Sequence, residues 1–339
     1  MFVTGAELGH TIYAARFDTD DLVHRLGTAA VMLAAAARAV QIPAALEDGS
    51  AGFAAAYVCA RTVLLLLYLG VRFTISEARG VTGLYLTGFG IGVVLWAISI
   101  LIPPPARFAL WALGLAIDFA TPWIGRYAGV LRRFPLDTSH LPERFGLFTI
   151  IVLGETLLGV VSGMSKVDWR AGSVATAVLA FEVAMCIWWI YFTFVEEAPF
   201  LCNLGSGQSY IYIHLPIVIG VVVIAIGMKY AIIEASRPTL ASDTLLLTGA
   251  GIVLWISAFL ALLVASVQRL PLARAAAVYA AAITATVLVI ALGAFLPPPL
   301  TLDGICLVFL ALVLVDEYSW TYGRDTLLPD WRQGGARED

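Results

Sequence analysis

The segment HLPERFGLFTIIVLGETLLGVVSG, residues 140–163, decides the fold class. A helix of roughly 20 apolar residues crosses a hydrocarbon core about 30 Å thick, and this segment has that length and composition. It nevertheless begins with Glu143 and Arg144 and carries Glu155 inside the apolar run. Charged side chains are costly at membrane depth, so the segment predicts a membrane helix with three residues that are candidates for function.

The composition of the whole chain agrees with this interpretation. Of its 339 residues, 60% are hydrophobic and only 13% are charged, whereas soluble domains carry roughly 25% charged residues. The sequence has no basic patch of the kind that binds nucleic acid. The four cysteines and four histidines are scattered, and none of the common catalytic or nucleotide-binding motifs occurs. We therefore predict an integral membrane protein without a catalytic residue, cofactor or metal site, and without a nucleic-acid partner.

Ten stretches are long and apolar enough to be membrane helices, and their runs do not alternate as barrel strands would. They are residues 22–42, 51–73, 81–102, 107–122, 143–163, 171–195, 209–233, 243–267, 272–296 and 301–319. The fold class predicted is an all-α, polytopic helix bundle in a lipid bilayer. With both termini on one side, most of the Lys and Arg residues near span ends fall on that side, so we expect both termini in the cytoplasm.

Two passages predict an internal repeat. LIPPPARFALWALGLAIDFATPW (101–123) parallels FLPPPLTLDGICLVFLALVLVDEYSW (295–320), and RFDTDD (16–21) stands where YFTFVEE (191–197) stands. We expect two parallel repeats, residues 1–126 with four spans and residues 143–320 with six, followed by a cytoplasmic tail at 321–339. The first repeat lacks counterparts of the first two spans of the second.

Several motifs together resemble the bacterial low temperature requirement A (LtrA) family. They are RFDTDDLVHRL, LPERFGLFTIIVLGETLLGVV, WWIYFTFVEE, YIYIHLPIVIGVVVIAIG and LVDEYSW, spread over residues 16–320. The resemblance implies a multi-pass protein of the bacterial inner membrane. Members of the family begin with an acidic, aromatic helix and a Trp-rich helix ahead of RFDTDD, so the resemblance also implies that this chain is truncated at its N-terminus.

The charged residues of residues 140–163 are expected to share one helix face. At about 100° per residue, Arg144 and Glu155 lie about 20° apart around the helix. This stripe is predicted to point into the bundle or into a wet cavity. Glu155 is then either a titratable group in a path for protons, cations or substrate, or a structural acid satisfied by one neighbour.

Other ionisable residues also lie at membrane depth. Arg61 and Glu182 fall near the centres of their spans, and we expect them to form an ion pair that serves either structure or transport. His214 precedes Pro216 by two residues and is either a proton relay at a kink or a hydrogen-bonded core residue.

Asp118 and Asp316 occupy matching places in the two repeats. Their position near the predicted helix ends favours interfacial acids that anchor these ends, although matching acids also suit a pseudo-symmetric cavity.

These observations favour a transporter or channel-like permease for a small solute or ion, with proton or cation coupling. The residues expected to line its polar pathway are Glu155, Glu182, Arg61, Arg144, Glu143, His214, Asp118 and Asp316. Two alternatives remain. One is a membrane enzyme or sensor at the cytoplasmic lipid interface, with the acids of RFDTDD and VEE, Asp118 and Asp316 gathering a metal. The other is a structural membrane protein without chemistry. A second copy of the chain is a further candidate partner.

Overall fold

The computed structural model describes most of the chain. The described residues are 9–10, 12–14, 16–17, 22–47, 49–133, 141–195, 207–266 and 272–322, except for the side chains of 132, 133, 194, 195, 266, 316 and 319–322. The acids of RFDTDD and VEE and the carboxylate of Asp316 therefore lie outside the described residues.

The described residues form helices joined by short turns, and no strand occurs among them. The helices are α1 (Leu22–Gln41), α2 (Ser50–Thr74), α3 (Arg79–Ser99), α4 (Ala106–Tyr127), α5 (Val130–Arg133), α6 (Leu141–Met164), α7 (Ala171–Val195), α8 (Gln208–Ile233), α9 (Ser242–Ser266), α10 (Leu272–Gly293) and α11 (Pro298–Tyr322). Within this described part, ten helices are long and apolar enough to cross a membrane. The predictions of an all-α fold and of ten spans are thus confirmed.

Two helix boundaries differ from the sequence-based ones because of proline. α4 does not end at residue 122 but continues through Pro122 to Tyr127. Proline in a helix removes only the bond to the carbonyl four residues earlier, here that of Asp118, and the apolar residues that follow keep the helical conformation. At α11, Pro298 and Pro299 form the first turn, where a missing N–H costs nothing, and the helix therefore starts before residue 301.

The chain divides into two compact units, Met1–Thr138 (unit 1) and Ser139–Asp339 (unit 2). In unit 1 the four long helices form a row in which α1 packs on α2, α2 on α3, and α3 on α4. The core of the row is aromatic, with Phe53, Tyr57, Trp96 and Trp111 buried together. That the two units descend from one repeated sequence stays a prediction.

Unit 2 has a different order of neighbours. Its six helices close into a ring, in which α6 packs on α7 and α8, α8 on α9, α9 on α10, α10 on α11, and α11 on α7. α6 approaches the backbone of α8 closely, because a Cβ atom on Gly159 would lie 3.1 Å from the carbonyl oxygen of Ala225, and one on Gly163 would lie 3.2 Å from that of Lys229. Small residues four apart commonly allow such close packing of membrane helices.

Candidate functional site

The middle of unit 1 contains a buried ionic cluster formed by Tyr57, Arg61 and Asp118, which we call the Arg61 cluster. Tyr57 and Arg61 are four residues apart on α2 and therefore share one face of that helix. Asp118 lies near the middle of α4. Only 2% of Arg61 and 6% of Asp118 is exposed. The cluster thus places an acid and a base together, away from the ends of both helices.

The hydrogen bonds of the Arg61 cluster form a triangle. The Nη2 atom of Arg61 donates to Oδ2 of Asp118 over 2.7 Å, and the Tyr57 hydroxyl donates to the same oxygen over 2.6 Å. Nε of Arg61 donates to the Tyr57 hydroxyl oxygen over 3.1 Å. Because guanidinium groups only donate, the Tyr57 proton must point to Asp118. Oδ2 therefore accepts two short hydrogen bonds, one of them from a charged donor.

The other carboxylate oxygen of Asp118 is in a different situation. Oδ1 is buried and has no hydrogen-bond partner among the residues that the structure describes. It faces Gly92 of α3, where a Cβ atom would lie 2.6 Å from Oδ1. Real Cβ atoms do not approach an oxygen this closely, so the absence of a side chain at Gly92 is what lets the carboxylate fit between α3 and α4. A buried acceptor without a donor is costly, and such groups call for an explanation.

Aromatic rings surround the Arg61 cluster. The ring of Tyr57 stacks on Trp96 with centroids 3.9 Å apart, and Trp96 stacks on Trp111 at 4.7 Å. The guanidinium carbon of Arg61 lies 4.9 Å from the centroid of the Phe89 ring. A cation over an aromatic face is stabilised by the ring quadrupole, most strongly where water is excluded. The rings thus both exclude solvent and offer the Arg61 charge a second source of stabilisation.

A second buried arginine holds the turn at one end of this aromatic core. Arg107 donates from Nε to the carbonyl oxygens of Ser99 (2.9 Å) and Ile102 (3.0 Å), and from Nη2 to that of Ile100 (3.1 Å). It also donates to the hydroxyl of Ser50. Ser99 is the last residue of α3, and Ile100 and Ile102 follow it in the turn. Arg107 therefore acts as a cap for this end of α3 and ties it to α2.

Unit 2 contains a separate buried polar group around His214 of α8, which is 1% exposed. Its Nδ1 lies 2.8 Å from the backbone oxygen of Tyr210, and its Nε2 lies 3.0 Å from the hydroxyl of Tyr191 on α7. A carbonyl only accepts, so Nδ1 carries the proton, and in the neutral imidazole Nε2 accepts from Tyr191. The rings of Phe145 and Tyr210, with centroids 4.5 and 4.2 Å from His214, enclose it. His214 is thus a hydrogen-bonded core residue of its unit.

Sequence reasoning named Arg61 and Asp118 separately but did not join them. The expected carboxylate partner of Arg61 was Glu182, and the structure pairs Arg61 with Asp118. A pairing of Arg61 with Glu182 stays a prediction. The expectation that Asp118 is an interfacial acid at a helix end is wrong, because α4 extends five residues further than predicted and leaves Asp118 in its middle. Tyr57 was missed, although its position four residues before Arg61 was a usable signal.

The expectation that the stripe of α6 points inward is also wrong. Glu155 is exposed, and Ile151 on the same face is 69% exposed. The buried face instead carries Phe145, Thr149 and Thr156, because small and hydroxyl-bearing residues let the neighbouring helices approach. Three other predicted pathway residues of unit 2 are not fully buried: Glu143 is exposed, and Arg144 and Glu182 are half-buried. His214, in contrast, is buried. Among the described side chains, no three His, Cys, Asp or Glu residues are arranged to hold a metal ion.

The comparison with known proteins decides the family. The family model described as "Bacterial low temperature requirement A protein (LtrA)" matches residues 8–314. The chain belongs to this family. The LtrA match covers both units, and it includes Arg61, Asp118 and His214.

The chain is also similar to an uncharacterized protein of Rhizobium meliloti (strain 1021). The two are 26% identical over 207 residues, which cover 57% of this chain and 51% of the relative. The chain thus matches about half the length of that curated relative. No solved structure matches the chain.

Proposed function

We propose that this LtrA-family membrane protein is a permease for a small solute or ion, coupled to protons or cations, and that the Arg61 cluster forms the polar part of its pathway. One observation carries the proposal: an Arg–Asp pair is buried near the middle of two membrane-length helices. Ionisable residues in such helices are rare and mark ion and substrate paths.

Stability alone does not account for such a pair. Replacing a buried ion pair by apolar side chains of similar volume is often neutral or stabilising, so a fold gains little from keeping one. A group that alternates between a paired and an unpaired state, in contrast, needs both charges. Oδ1 of Asp118 supports this reading, because no described residue donates a hydrogen bond to this buried oxygen.

The proposal includes a location. The protein lies in the bacterial inner membrane, which its LtrA family membership supports. Both termini lie in the cytoplasm, which the distribution of Lys and Arg beside the spans supports. Its partners are the lipid bilayer, the transported solute or ion and, as a candidate, a second copy of the chain. Glu182 and His214 of unit 2 stay secondary candidates for the pathway.

Flux through reconstituted protein tests the proposal. The full chain is placed in liposomes with an entrapped pH indicator, and uptake of protons, sodium and rubidium is followed under an imposed gradient. We expect flux above that of protein-free vesicles, and we expect Asp118→Asn to reduce it to the protein-free level. Asp168→Asn is the matched control, since it makes the same change at a loop carboxylate that is 81% exposed, and it should leave the flux unchanged.

Two results would contradict the proposal. Wild-type vesicles that behave like protein-free vesicles for every probe would favour the alternatives of a lipid-interface enzyme or a structural protein. Equal flux through wild-type and Asp118→Asn protein would show that the pathway lies away from the Arg61 cluster.

A further inference from the structure

We propose that Oδ1 of Asp118 is the site at which this protein binds and releases a proton. The inference deepens the proposed function, on which its role in transport rests, by naming the coupling ion and the atom that takes it. It stands on the geometry of the Arg61 cluster and on the placement of Gly92.

The two oxygens of Asp118 are not equivalent. Oδ2 accepts hydrogen bonds from Arg61 and Tyr57 at 2.7 and 2.6 Å, and both donors stabilise negative charge on that atom. Oδ1 is buried, and no described residue donates a hydrogen bond to it. A proton arriving at the carboxylate therefore binds at Oδ1, where it displaces no existing hydrogen bond.

The space around Oδ1 of Asp118 is large enough for a proton and too small for a metal ion with its ligands. Oδ1 lies so close to the backbone of α3 that even a methyl group at Gly92 would meet it at 2.6 Å. A metal ion with its ligand shell needs several oxygens around it, and the buried Oδ1 atom offers no room for them unless α3 and α4 separate. A proton needs no such rearrangement.

The charged and titratable groups around Asp118 set the consequence of proton binding. α2 contributes Arg61 and Tyr57, and Arg38 of α1 lies with its guanidinium carbon 5.8 Å from the Tyr57 ring. From α3, Gly92 lies against Oδ1 of Asp118, and glycine is not titratable. Proton binding converts the Asp118 carboxylate into a neutral carboxylic acid, and the ion pair between Arg61 and Asp118 is then lost.

Aromatic rings stabilise the Arg61 charge when Asp118 is protonated. Its guanidinium carbon lies 4.9 Å from the centroid of Phe89 and 5.5 Å from that of Tyr57. These ring faces continue to stabilise the cation after Asp118 is neutralised. The cluster therefore has two arrangements that differ by one proton, an Arg–Asp ion pair and a neutral acid beside an aromatic-held arginine.

Infrared difference spectroscopy tests the site directly. The full chain in lipid nanodiscs is titrated over the pH range in which it stays folded, and the carboxylic-acid C=O stretch is followed. We expect a band that grows as the pH falls, shifts in heavy water and is absent in Asp118→Asn. Asp168→Asn should retain the band. Asp118→Glu, which keeps a titratable carboxyl, should retain a band at a shifted frequency, and it serves where Asp118→Asn does not fold.

The outcomes separate this inference from the proposed function. A band that is unaffected by Asp118→Asn, or an Asp118 band that does not titrate, overturns the proton site. A titrating Asp118 band without flux in liposomes leaves the proton site standing and overturns the permease. Flux in liposomes without a titrating Asp118 band overturns the proton site and leaves the permease standing.

Discussion

Removing Arg61 alone should be far more damaging than removing Arg61 and Asp118 together. In Arg61→Met the Asp118 carboxylate stays buried and keeps only the Tyr57 hydroxyl of its two donors. Breaking a buried ion pair in this way typically lowers the free energy of unfolding by about 3–5 kcal/mol. Asp118→Leu removes the carboxylate that pairs with Arg61, and it should lower the free energy of unfolding by a similar amount.

The double variant Arg61→Met/Asp118→Leu removes both charges and keeps most of the side-chain volume. Replacing a whole buried pair ranges from neutral to stabilising by about 1–4 kcal/mol. The Tyr57 hydroxyl then lacks the acceptor it has now, which costs about 1–3 kcal/mol. We therefore expect the double variant to lie within about 3 kcal/mol of the wild type, whereas independent losses would add to about 6–10 kcal/mol. Adding Tyr57→Phe to the double variant removes this hydroxyl and should restore the free energy of unfolding that its lost hydrogen bond cost.

The assay is unfolding of the purified chain in mixed micelles with increasing dodecyl sulfate, followed by far-ultraviolet circular dichroism. Pulse proteolysis with fragment masses reports on unit 1 separately from unit 2. Arg79→Met is the matched control, because Arg79 is exposed and such changes stay within about 0.5 kcal/mol. A double variant that loses the sum of the two single losses would refute the reasoning, since the two charges would then act independently.

Three further predictions use the same unfolding assay. Gly92→Ala should lose about 1–3 kcal/mol by overpacking against the buried carboxylate, whereas Gly90→Ala on the same helix, whose Cβ would meet nothing within 4 Å, should be neutral or stabilising. Arg107→Lys should lose about 1.5–3 kcal/mol, because an ammonium group does not reach the three carbonyls that the guanidinium spans. Tyr191→Phe should lose about 1–3 kcal/mol, because Nε2 of His214 loses its donor.

Each of these predictions has a result that contradicts it. Equal stability of the Gly92→Ala and Gly90→Ala proteins would mean that α3 and α4 do not approach as closely as described. An Arg107→Lys protein as stable as the wild type would mean that capping of α3 does not need the planar guanidinium group. An unchanged Tyr191→Phe protein would mean that another group satisfies His214.

The number and type of spans could be predicted because they depend on one property, the length of apolar helix that a bilayer requires. The predicted helix boundaries at Pro122 and at the triple proline 297–299 were wrong. Proline permits either a helix end or a first turn, and in a membrane helix it is also tolerated inside. Local sequence does not choose among these three outcomes, since the choice depends on what packs around the residue.

The candidate site was only half predictable for a related reason. The depth of Arg61 and of Asp118 follows from their position along each span, but the pairing of helices does not. Glu182 and Asp118 were both acids within predicted spans, and only the packing of α2, α3 and α4 as neighbours selects Asp118. The prediction that the Arg144–Glu155 face of α6 points into the bundle failed for the same reason. Helical geometry gives the angle between two side chains, and it does not say which face the other helices cover.

The different neighbour orders of the two units have a consequence for synthesis. In unit 1 each long helix packs on the next one in the chain. Helices that emerge from the ribosome in order can therefore pair as they are made. In unit 2, α7 meets α11, the last helix of the ring, and at this seam the Cys306 thiol donates to the carbonyl of Leu179 over 3.2 Å. That face of α7 has its partner only after α11 has been synthesised, so closure of the ring is the last step in the assembly of these six helices.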